Sequence, residues 1–353
     1  MSLLPQKVAL VIGAHGIIGG NLIEVLSQQS DWQVIGVSRR AGESRGRVRY
    51  MAVDLLDREA TLCELSALTS VTHVFYAAYQ DRQSWAELVA PNLAMLVNVM
   101  DAIEPVAKSL QHVLLMQGYK AYGAHLGPFK TPARESDADH MPPEFNLDQQ
   151  QFLMQRQRQA GWAWTALRPS VVCGFASGVP MNLVMAIAQY AAMSKELGLP
   201  LRFPGQPGAY DRLLEVSDAT LLAKGMLWAV TEPKAANQVY NLNNGDLFRW
   251  RELWPQLADY FEMPVAPPLP MSLQVIMADK ATLWAAMQQK YDLVDLPYAA
   301  VSSWAFADAV MSWDYDMFGD NNKAHLAGFH EFVDTPTMFF RLFDDYRQRR
   351  LIP

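Results

Sequence analysis

Cysteine and positive charge are both scarce in this chain. Its 353 residues include two cysteines, Cys63 and Cys173, whose wide separation is not the paired spacing of a disulfide framework or a zinc site. The seven histidines form no HExxH motif and no close ligand pair, so we predict no metal site. The formal net charge of −7 argues against a nucleic-acid partner, because nucleic-acid binding normally depends on a basic surface.

The sequence also lacks a long uncharged apolar run. No stretch of about 18 uncharged apolar residues is present, and the first residues do not combine a basic segment with an apolar run. We therefore expect no membrane partner and predict a cytoplasmic location. Hydrophobic residues make up 51% of the chain and charged residues 18%, which is typical of a folded globular protein.

Short β-rich runs alternate with longer helical patterns in the first half of the chain. This alternation predicts βαβ units and a parallel sheet, and the nearly uniform apolar character of several runs is expected when helices cover both faces. Between the first two runs, Ile18, Leu22 and Leu26 recur at helical spacing, which predicts a crossover helix. The predicted strands are residues 8–12, 32–37, 48–53, 73–77, 112–116 and 164–167.

Three glycines, Gly13, Gly16 and Gly19, form a GxxGxxG run directly after the first predicted strand and before the crossover helix. Glycine lets the backbone turn tightly and approach a pyrophosphate, which then binds the free N–H groups at the start of the helix. In this context the run predicts a dinucleotide site. A purely structural turn is the alternative.

The end of the second predicted strand carries Ser38, Arg39 and Arg40. Two forked guanidinium groups and a hydroxyl suit a 2′-phosphate, whereas a site that prefers NAD usually has an acid there. We therefore predict NADP(H) as the cofactor; a solvated basic loop is the alternative. After the third strand, Asp54 and Leu55 lie where Rossmann-type dinucleotide sites of this kind commonly hold the adenine, and a simple turn is the alternative for Asp54.

The pattern changes after residue 169 to helical stretches rich in methionine and aromatic residues, with one more strand-like run at 238–242. We predict an α/β fold: a Rossmann-type doubly wound parallel sheet with a smaller, mostly helical C-terminal substrate cap. Residues 1–175 are predicted to form the NADP(H)-binding domain, with a returning segment near 210–245. Residues 176–353 are predicted to form mainly the cap.

An ordered string of short motifs extends over nearly the whole chain. Besides the glycine run, it comprises residues 36–40, 73–76, 117–122, 127–129, 168–169, 181–184, 243–246 and 351–353. The string resembles the progesterone 5β-reductase/iridoid synthase-like family, an atypical branch of the extended short-chain dehydrogenases. The resemblance implies NADPH-dependent 1,4-reduction of a carbon–carbon double bond conjugated to a carbonyl, in a hydrophobic small-molecule substrate.

The resemblance also implies roles for individual residues. The cofactor-binding residues are Gly13, Gly16, Ile17, Ile18, Gly19, Ser38, Arg39, Arg40, Asp54, Leu55, Ala77, Gln117, Lys120, Pro169 and Val172. The substrate pocket contains Tyr79, which replaces a family tryptophan, together with Phe129, Met181 and Phe339. Because extended short-chain dehydrogenases often pair through the helices after the fourth and fifth strands, a homodimer through the 93–103 region is possible.

Catalysis in the family depends on a lysine and a tyrosine that stabilise the enolate oxygen. The lysine matches Lys120, but the tyrosine is replaced by Asn146. An amide can donate a hydrogen bond to an oxyanion, yet it cannot act as a proton donor near neutral pH.

Three interpretations of this replacement remain open. In the first, Lys120 and Asn146 suffice and solvent protonates carbon. In the second, Tyr122 or another local tyrosine supplies the phenol. In the third, conjugate reduction is lost, and the fold serves carbonyl or imine reduction, a redox-neutral lyase or isomerase step, or a non-enzymatic NADPH-binding regulator.

Overall fold

Within residues 7–138 and 142–353, which the computed structural model describes, there are eleven strands and thirteen α-helices. The strands are β1 (Lys7–Ile12), β2 (Trp32–Ser38), β3 (Val48–Ala52), β4 (His73–Tyr76), β5 (His112–Met116), β6 (Ala163–Arg168), β7 (Val171–Cys173), β8 (Leu201–Arg202), β9 (Val216–Asp218), β10 (Gln238–Asn241) and β11 (Val265–Ala266). The helices are α1 (Ile17–Ser27), α2 (Arg58–Leu65), α3 (Trp85–Ile103), α4 (Phe145–Gln157), α5 (Leu183–Glu196), α6 (Ala219–Thr231), α7 (Trp250–Tyr260), α8 (Leu273–Ile276), α9 (Ala281–Lys290), α10 (Tyr298–Val301), α11 (Trp304–Met311), α12 (Asn322–Leu326) and α13 (Thr335–Gln348).

Seven strands form one sheet in the order β10-β6-β5-β4-β1-β2-β3, and every neighbouring pair is parallel. All seven strands predicted from the sequence belong to this sheet, with ends that differ by one residue at most. The chain runs outward from β1 to β3 and then returns to β4 on the other side of β1. Where the strand order of an open α/β sheet reverses in this way, ligands bind in a crevice beyond the carboxyl ends of the strands, so we expect the cofactor crevice beyond β1 and β4.

Helices cover both faces of the sheet. On one face α1 and α6 contribute Leu22 and Leu222 to an apolar cluster with the sheet. On the other face α2, α3 and α4 contribute Leu65, Leu96 and Leu153. Because the strands are buried on both faces, they read as nearly continuous apolar runs. The predicted doubly wound α/β fold is confirmed.

Helix α3 is long and apolar enough to cross a membrane by length and composition, and half of that apolar stretch is buried inside the fold. Its buried side covers the sheet. Two asparagines on that side are bonded inside the protein: Asn92 donates to the Gln80 carbonyl at 2.9 Å and Asn98 to the Leu55 carbonyl at 2.8 Å. These contacts are those of a core helix. The homodimer through the 93–103 region of this helix stays a prediction.

A second apolar core lies in the C-terminal half, which we call the cap. It is formed by α5, α7, α8, α9, α11 and α13, and includes fully buried Trp250, Trp254 and Trp284. Two short strand pairs, β7 with β9 and β8 with β11, are additions that the sequence pattern did not predict. The cap is not one continuous segment, because α6, β10 and α12 return to pack on the sheet half.

Candidate active site

The glycine turn after β1 lies against the loop that follows β4. Gly13 has φ +89°, and a β-carbon there would lie 2.8 Å from the Ala77 carbonyl oxygen. A β-carbon on Gly19 would lie 2.3 Å from the Gly13 carbonyl oxygen. Both positions therefore require glycine. Helix α1 begins after Gly16, with no side-chain cap and no acid in its first turn, which leaves an anion-binding N-terminus.

The predicted 2′-phosphate corner lies at the end of β2, next to this turn. Ser38 Oγ is 2.7 Å from His15 Nδ1 and donates to the Arg40 carbonyl at 2.7 Å. Arg39 and Arg40 are exposed, and Arg40 Nη1 lies 3.5 Å from the site of a β-carbon on Gly178. Burial and the nearby Arg40 charge lower the pKa of His15. The corner is therefore rich in cationic hydrogen-bond donors.

Asp54 and Leu55 form part of a turn between β3 and α2. Asp54 is exposed and its Oδ1 accepts from the Leu56 N–H at 3.0 Å, which is an Asx turn. Leu55 is buried, and its carbonyl accepts from Asn98. This geometry accounts for the aspartate as a turn residue, and its contact with adenine stays a prediction.

The other residues predicted to contact the cofactor lie at the same edge of the sheet. Ile17 and Ile18 form the first turn of α1, and Ala77, Gln117 and Pro169 follow β4, β5 and β6, while Val172 lies in β7. Gln117 is buried: its Nε2 donates to the Asn146 carbonyl at 2.6 Å, and its Oε1 accepts from Arg168 Nε at 2.8 Å. Gln117 thus connects the end of β6 to the start of α4.

Lys120 lies just beyond β5, in the single 3₁₀ turn Tyr119–Tyr122. Its Nζ donates to the Tyr79 hydroxyl at 3.3 Å and lies 4.7 Å from the centre of the Trp85 ring and 5.1 Å from that of Tyr79. Burial lowers the pKa of Lys120, while the nearby carboxylates of Asp81 and Glu144 act in the opposite direction. The ammonium group therefore stands among aromatic rings beside the cofactor crevice.

Two buried tyrosines hold this turn in place. The Tyr122 hydroxyl donates to Asn241 Oδ1 at 2.5 Å, and the ring lies 5.0 Å beneath the Arg168 guanidinium. The Tyr119 hydroxyl donates to the carboxyl group of Glu215. Burial raises the pKa of this carboxyl group to about 8. Both phenols are thus bonded to buried partners. The catalytic role of Tyr122 stays a prediction.

Asn146 lies in the first turn of α4 and is almost fully buried. Its Nδ2 donates to Glu144 Oε1 at 2.6 Å, and its backbone N–H donates to the same oxygen at 3.2 Å. The other oxygen of Glu144 accepts from the Leu147 N–H at 3.0 Å. Glu144 is thus the N-cap of α4, and one amide N–H of Asn146 is committed to its carboxylate.

The four predicted pocket residues are dispersed. Tyr79 contacts Lys120 directly, and the Phe129 ring lies 6.4 Å from that of Tyr119. Met181 is 38% exposed just before α5. Phe339 is completely buried in α13, where its ring is 6.0 Å from Phe343. The structure therefore brings Tyr79 and Phe129 to the Lys120 turn and places Phe339 inside the cap core.

Three residues near Lys120 were not among the sequence predictions. Asp81 accepts from the Tyr79 hydroxyl at 2.9 Å, Trp85 contacts the ammonium group, and Glu144 contributes negative charge. The position of Trp85 near the site could have been predicted, because it begins the helix that Ser84 caps, directly after a predicted strand and loop. Asp81 and Glu144 had none, since only the tertiary fold brings them to Lys120.

A separate small pocket of about 20 Å³ lies within the cap, between the loop after β7, α5, α9 and the segment near 294–301. Its walls include Phe175, Met185, Trp284 and Val301. Among the described residues that line it, none is one of the four predicted pocket residues.

Comparisons with known proteins agree with this geometry. Residues 51–353 match the PRISE-like Rossmann-fold domain. An (S)-8-oxocitronellyl enol synthase of Camptotheca acuminata is 32% identical, over 99% of this chain and 94% of that protein. A 3-oxo-Δ(4,5)-steroid 5β-reductase of Arabidopsis thaliana is 33% identical, with the same coverage.

Solved structures reproduce the fold at low sequence identity. UDP-glucose 4-epimerase of Thermotoga maritima, solved with UDP-glucose, has a TM-score of 0.68 and 15% identity, covering 97% of this chain and 99% of that one. The Bordetella bronchiseptica enzyme WbmG, solved with NAD, has a TM-score of 0.67 and 18% identity, covering 98% and 96%.

The family, the fold and the glycine turn support a nicotinamide cofactor. They also confirm the prediction of an enzyme of the extended short-chain dehydrogenase class. The chain belongs to the PRISE-like Rossmann-fold family, to which the motif string had pointed.

Proposed function

We propose that the protein uses NADPH to reduce a carbon–carbon double bond conjugated to a carbonyl. The observation that carries the proposal is the Lys120 ammonium, which stands beside the cofactor crevice within hydrogen-bonding reach of Tyr79 and against Trp85. A fixed cation at this place suits an oxygen that gains negative charge during the reaction. NADPH, when bound, supplies the hydride.

The chain's own residues would position the substrate and stabilise charge. Lys120 would donate a hydrogen bond to the carbonyl oxygen of the substrate. This oxygen gains negative charge as hydride adds to the β-carbon and the carbonyl becomes an enolate. The aromatic rings of Tyr79, Trp85 and Phe145 offer an apolar surface, since the Tyr79 and Phe145 rings lie 5.7 Å apart. Such a surface suits a hydrophobic enone or enal more than a sugar nucleotide.

The preference for NADPH over NADH is supported by the corner at the end of β2. Arg39, Arg40 and Ser38 present forked cationic donors and a hydroxyl, a donor set that matches the oxygens of a phosphate monoester. The ribose of NADH would leave these cations without a counter-charge.

The relatives support the same chemistry from two sides. One is named as a steroid 5β-reductase and the others as enol synthases. Reduction of an enone and formation of an enol share an enolate stage, and both outcomes need one stabilised oxygen. A reductase that forms an enolate at Lys120 is therefore the function best supported here.

A titration followed by an activity assay tests this function. Purified protein is titrated with NADPH and NADH by fluorescence, and NADPH oxidation is then followed with a panel of enones, enals and simple ketones. We expect tighter binding of NADPH and turnover of enones or enals. Lys120→Met should lower turnover by about 100-fold or more while NADPH still binds. Binding without turnover of any alkene would refute the proposal, and turnover of ketones alone would identify a carbonyl reductase.

A further inference from the structure

The Tyr79 hydroxyl lies between the Lys120 ammonium and an exposed carboxylate. It accepts from Lys120 Nζ at 3.3 Å and donates to Asp81 Oδ1 at 2.9 Å. The side chain is 37% exposed, so the hydroxyl stands on the open side of Lys120. Rotation about the C–O bond alone would turn its proton from Asp81 toward another acceptor beside the ammonium group.

Three other candidate donors among the described residues near Lys120 are directed elsewhere. The hydroxyl groups of Tyr119 and Tyr122 donate to Glu215 and Asn241, and both side chains are buried. Asn146 is 3% exposed and donates an amide proton to the Glu144 carboxylate. Within the described part of the chain, Tyr79 thus combines exposure with direct contact to Lys120.

We infer that Tyr79 is a further catalytic residue, which donates its O–H to the substrate oxygen alongside Lys120. This inference rests on the proposed reductase function. The Lys120–Tyr79 distance is long for an N–H···O hydrogen bond, so a carbonyl oxygen placed between the two groups would receive a hydrogen bond from each in place of this weak contact. Burial and the adjacent Asp81 raise the pKa of Tyr79, which keeps the phenol protonated near neutral pH.

The atoms and electrons of the step balance. Hydride carries two electrons from NADPH to the β-carbon, the double-bond pair moves toward the carbonyl, and the oxygen becomes an enolate. The Tyr79 proton passes to that oxygen and gives an enol, and water returns a proton to the phenolate. The enol then gains a proton from water at the α-carbon and releases its O–H proton, which yields the saturated carbonyl.

The test compares two phenols in similar settings. Tyr79→Phe removes only the hydroxyl, and Tyr291→Phe is the matched control, because Tyr291 is 39% exposed and also donates to a carboxylate, the partly buried Glu196 Oε2, at 2.6 Å. We expect kcat for an enone to fall by about 10- to 100-fold in Tyr79→Phe, with NADPH affinity unchanged and the control equal to the original protein. Equal kcat in Tyr79→Phe and the control would overturn the inference.

Adding Asn146→Tyr to Tyr79→Phe separates loss of a donor from general damage. A tyrosine at 146 places a phenol on the α4 side of Lys120 and should restore part of the lost kcat. The same substitution in the original protein should have a smaller benefit, because Tyr79 already supplies a donor. If the double variant recovers nothing and melts at the temperature of the single variant, a donor role for Tyr79 is contradicted.

A binding experiment distinguishes failure of this inference from failure of the proposed function. Substituted phenolates present a delocalised oxyanion, and their absorbance reports binding to the complex with NADP⁺. We expect Tyr79→Phe to bind them about 10-fold more weakly than the original protein. If enones are not reduced but this difference in affinity persists, the proposed reductase function is refuted and the donor role of Tyr79 is supported. If enones are reduced and neither kcat nor phenolate affinity depends on Tyr79, the proposed reductase function is supported and the donor role of Tyr79 is refuted. Absence of both activities overturns both.

Discussion

Two buried histidines predict how the stability of this protein depends on pH. His73 and His112 are aligned on the neighbouring strands β4 and β5, and both are at least 95% buried. Burial lowers the pKa of His73 to about 3, with smaller contributions from the His112 and Lys7 charges, and lowers the pKa of His112 to about 4. Both values lie well below the ordinary value of 6.5.

These shifts fix the sign and size of the effect. Between about pH 6.5 and pH 4 the unfolded chain binds protons at both histidines and the folded chain does not, so stability falls as the pH falls. From pH 7 to pH 5 each imidazole should remove about 2 kcal/mol from the free energy of unfolding. In His112→Gln the amide can keep the contact with Thr165 Oγ1, which lies 2.9 Å from His112 Nε2, and this share of the loss disappears.

Urea unfolding at pH 7, 6 and 5, followed by tryptophan fluorescence, measures the difference. The original protein should lose about 2 kcal/mol more than His112→Gln between pH 7 and pH 5. His330→Gln, at an exposed position, is the control and should follow the original protein. Equal losses in all three proteins would refute the reasoning, because His112 would then be protonated to the same extent in both states.

Three further predictions concern the site. Gly13→Ala should lower the free energy of unfolding by about 1–3 kcal/mol and weaken the binding of both NADPH and NADH. Gly46 is also at positive φ, but a β-carbon there meets no atom within 4 Å, so Gly46→Ala should lower stability less. Melting temperatures and cofactor titrations of the two variants test this difference. Arg40→Gln should raise the Kd for NADPH by about 10- to 100-fold and leave NADH unchanged; an equal change in both would contradict a contact with the 2′-phosphate. Glu144→Gln should cost about 1 kcal/mol of stability, read from urea unfolding, because α4 loses a charged N-cap; no change would contradict that capping role.

The sequence predicted the sheet well because its strands carry strong local signals. Residues 8–12 and 113–116 are apolar runs of five and four residues, flanked by turns and helical spacing, and both lie in the sheet. The glycine turn was equally predictable, since the GxxGxxG spacing directly after a strand is a local signal in the sequence. Strands of two or three residues, such as β8 and β9, are too short to show a period.

The surroundings of Lys120 were harder to predict, because they depend on contacts between distant segments. Lys120 was predicted from the family resemblance, but its contact with Tyr79 crosses 41 positions of sequence. The capping of α4 by Glu144, which engages Asn146, follows from a helix start that the sequence does not mark with serine, threonine or aspartate. Phe339 is aromatic, as a residue lining an apolar pocket would be, but it is buried in the cap core. Sequence alone does not distinguish a pocket residue from a core residue.

The repeated returns of the chain to the sheet restrict how this protein can be divided or recombined. A fragment that stops at residue 175 would lack β10 and α6, so the edge of β6 and the apolar face beneath α6 would be open to water and to other chains. The cap cannot be grafted between relatives as one cassette either, because α5, α7–α11 and α13 are separated by segments that belong to the other core. A chimera designed to exchange substrate preference needs several junctions, each placed where the chain passes from one apolar core to the other.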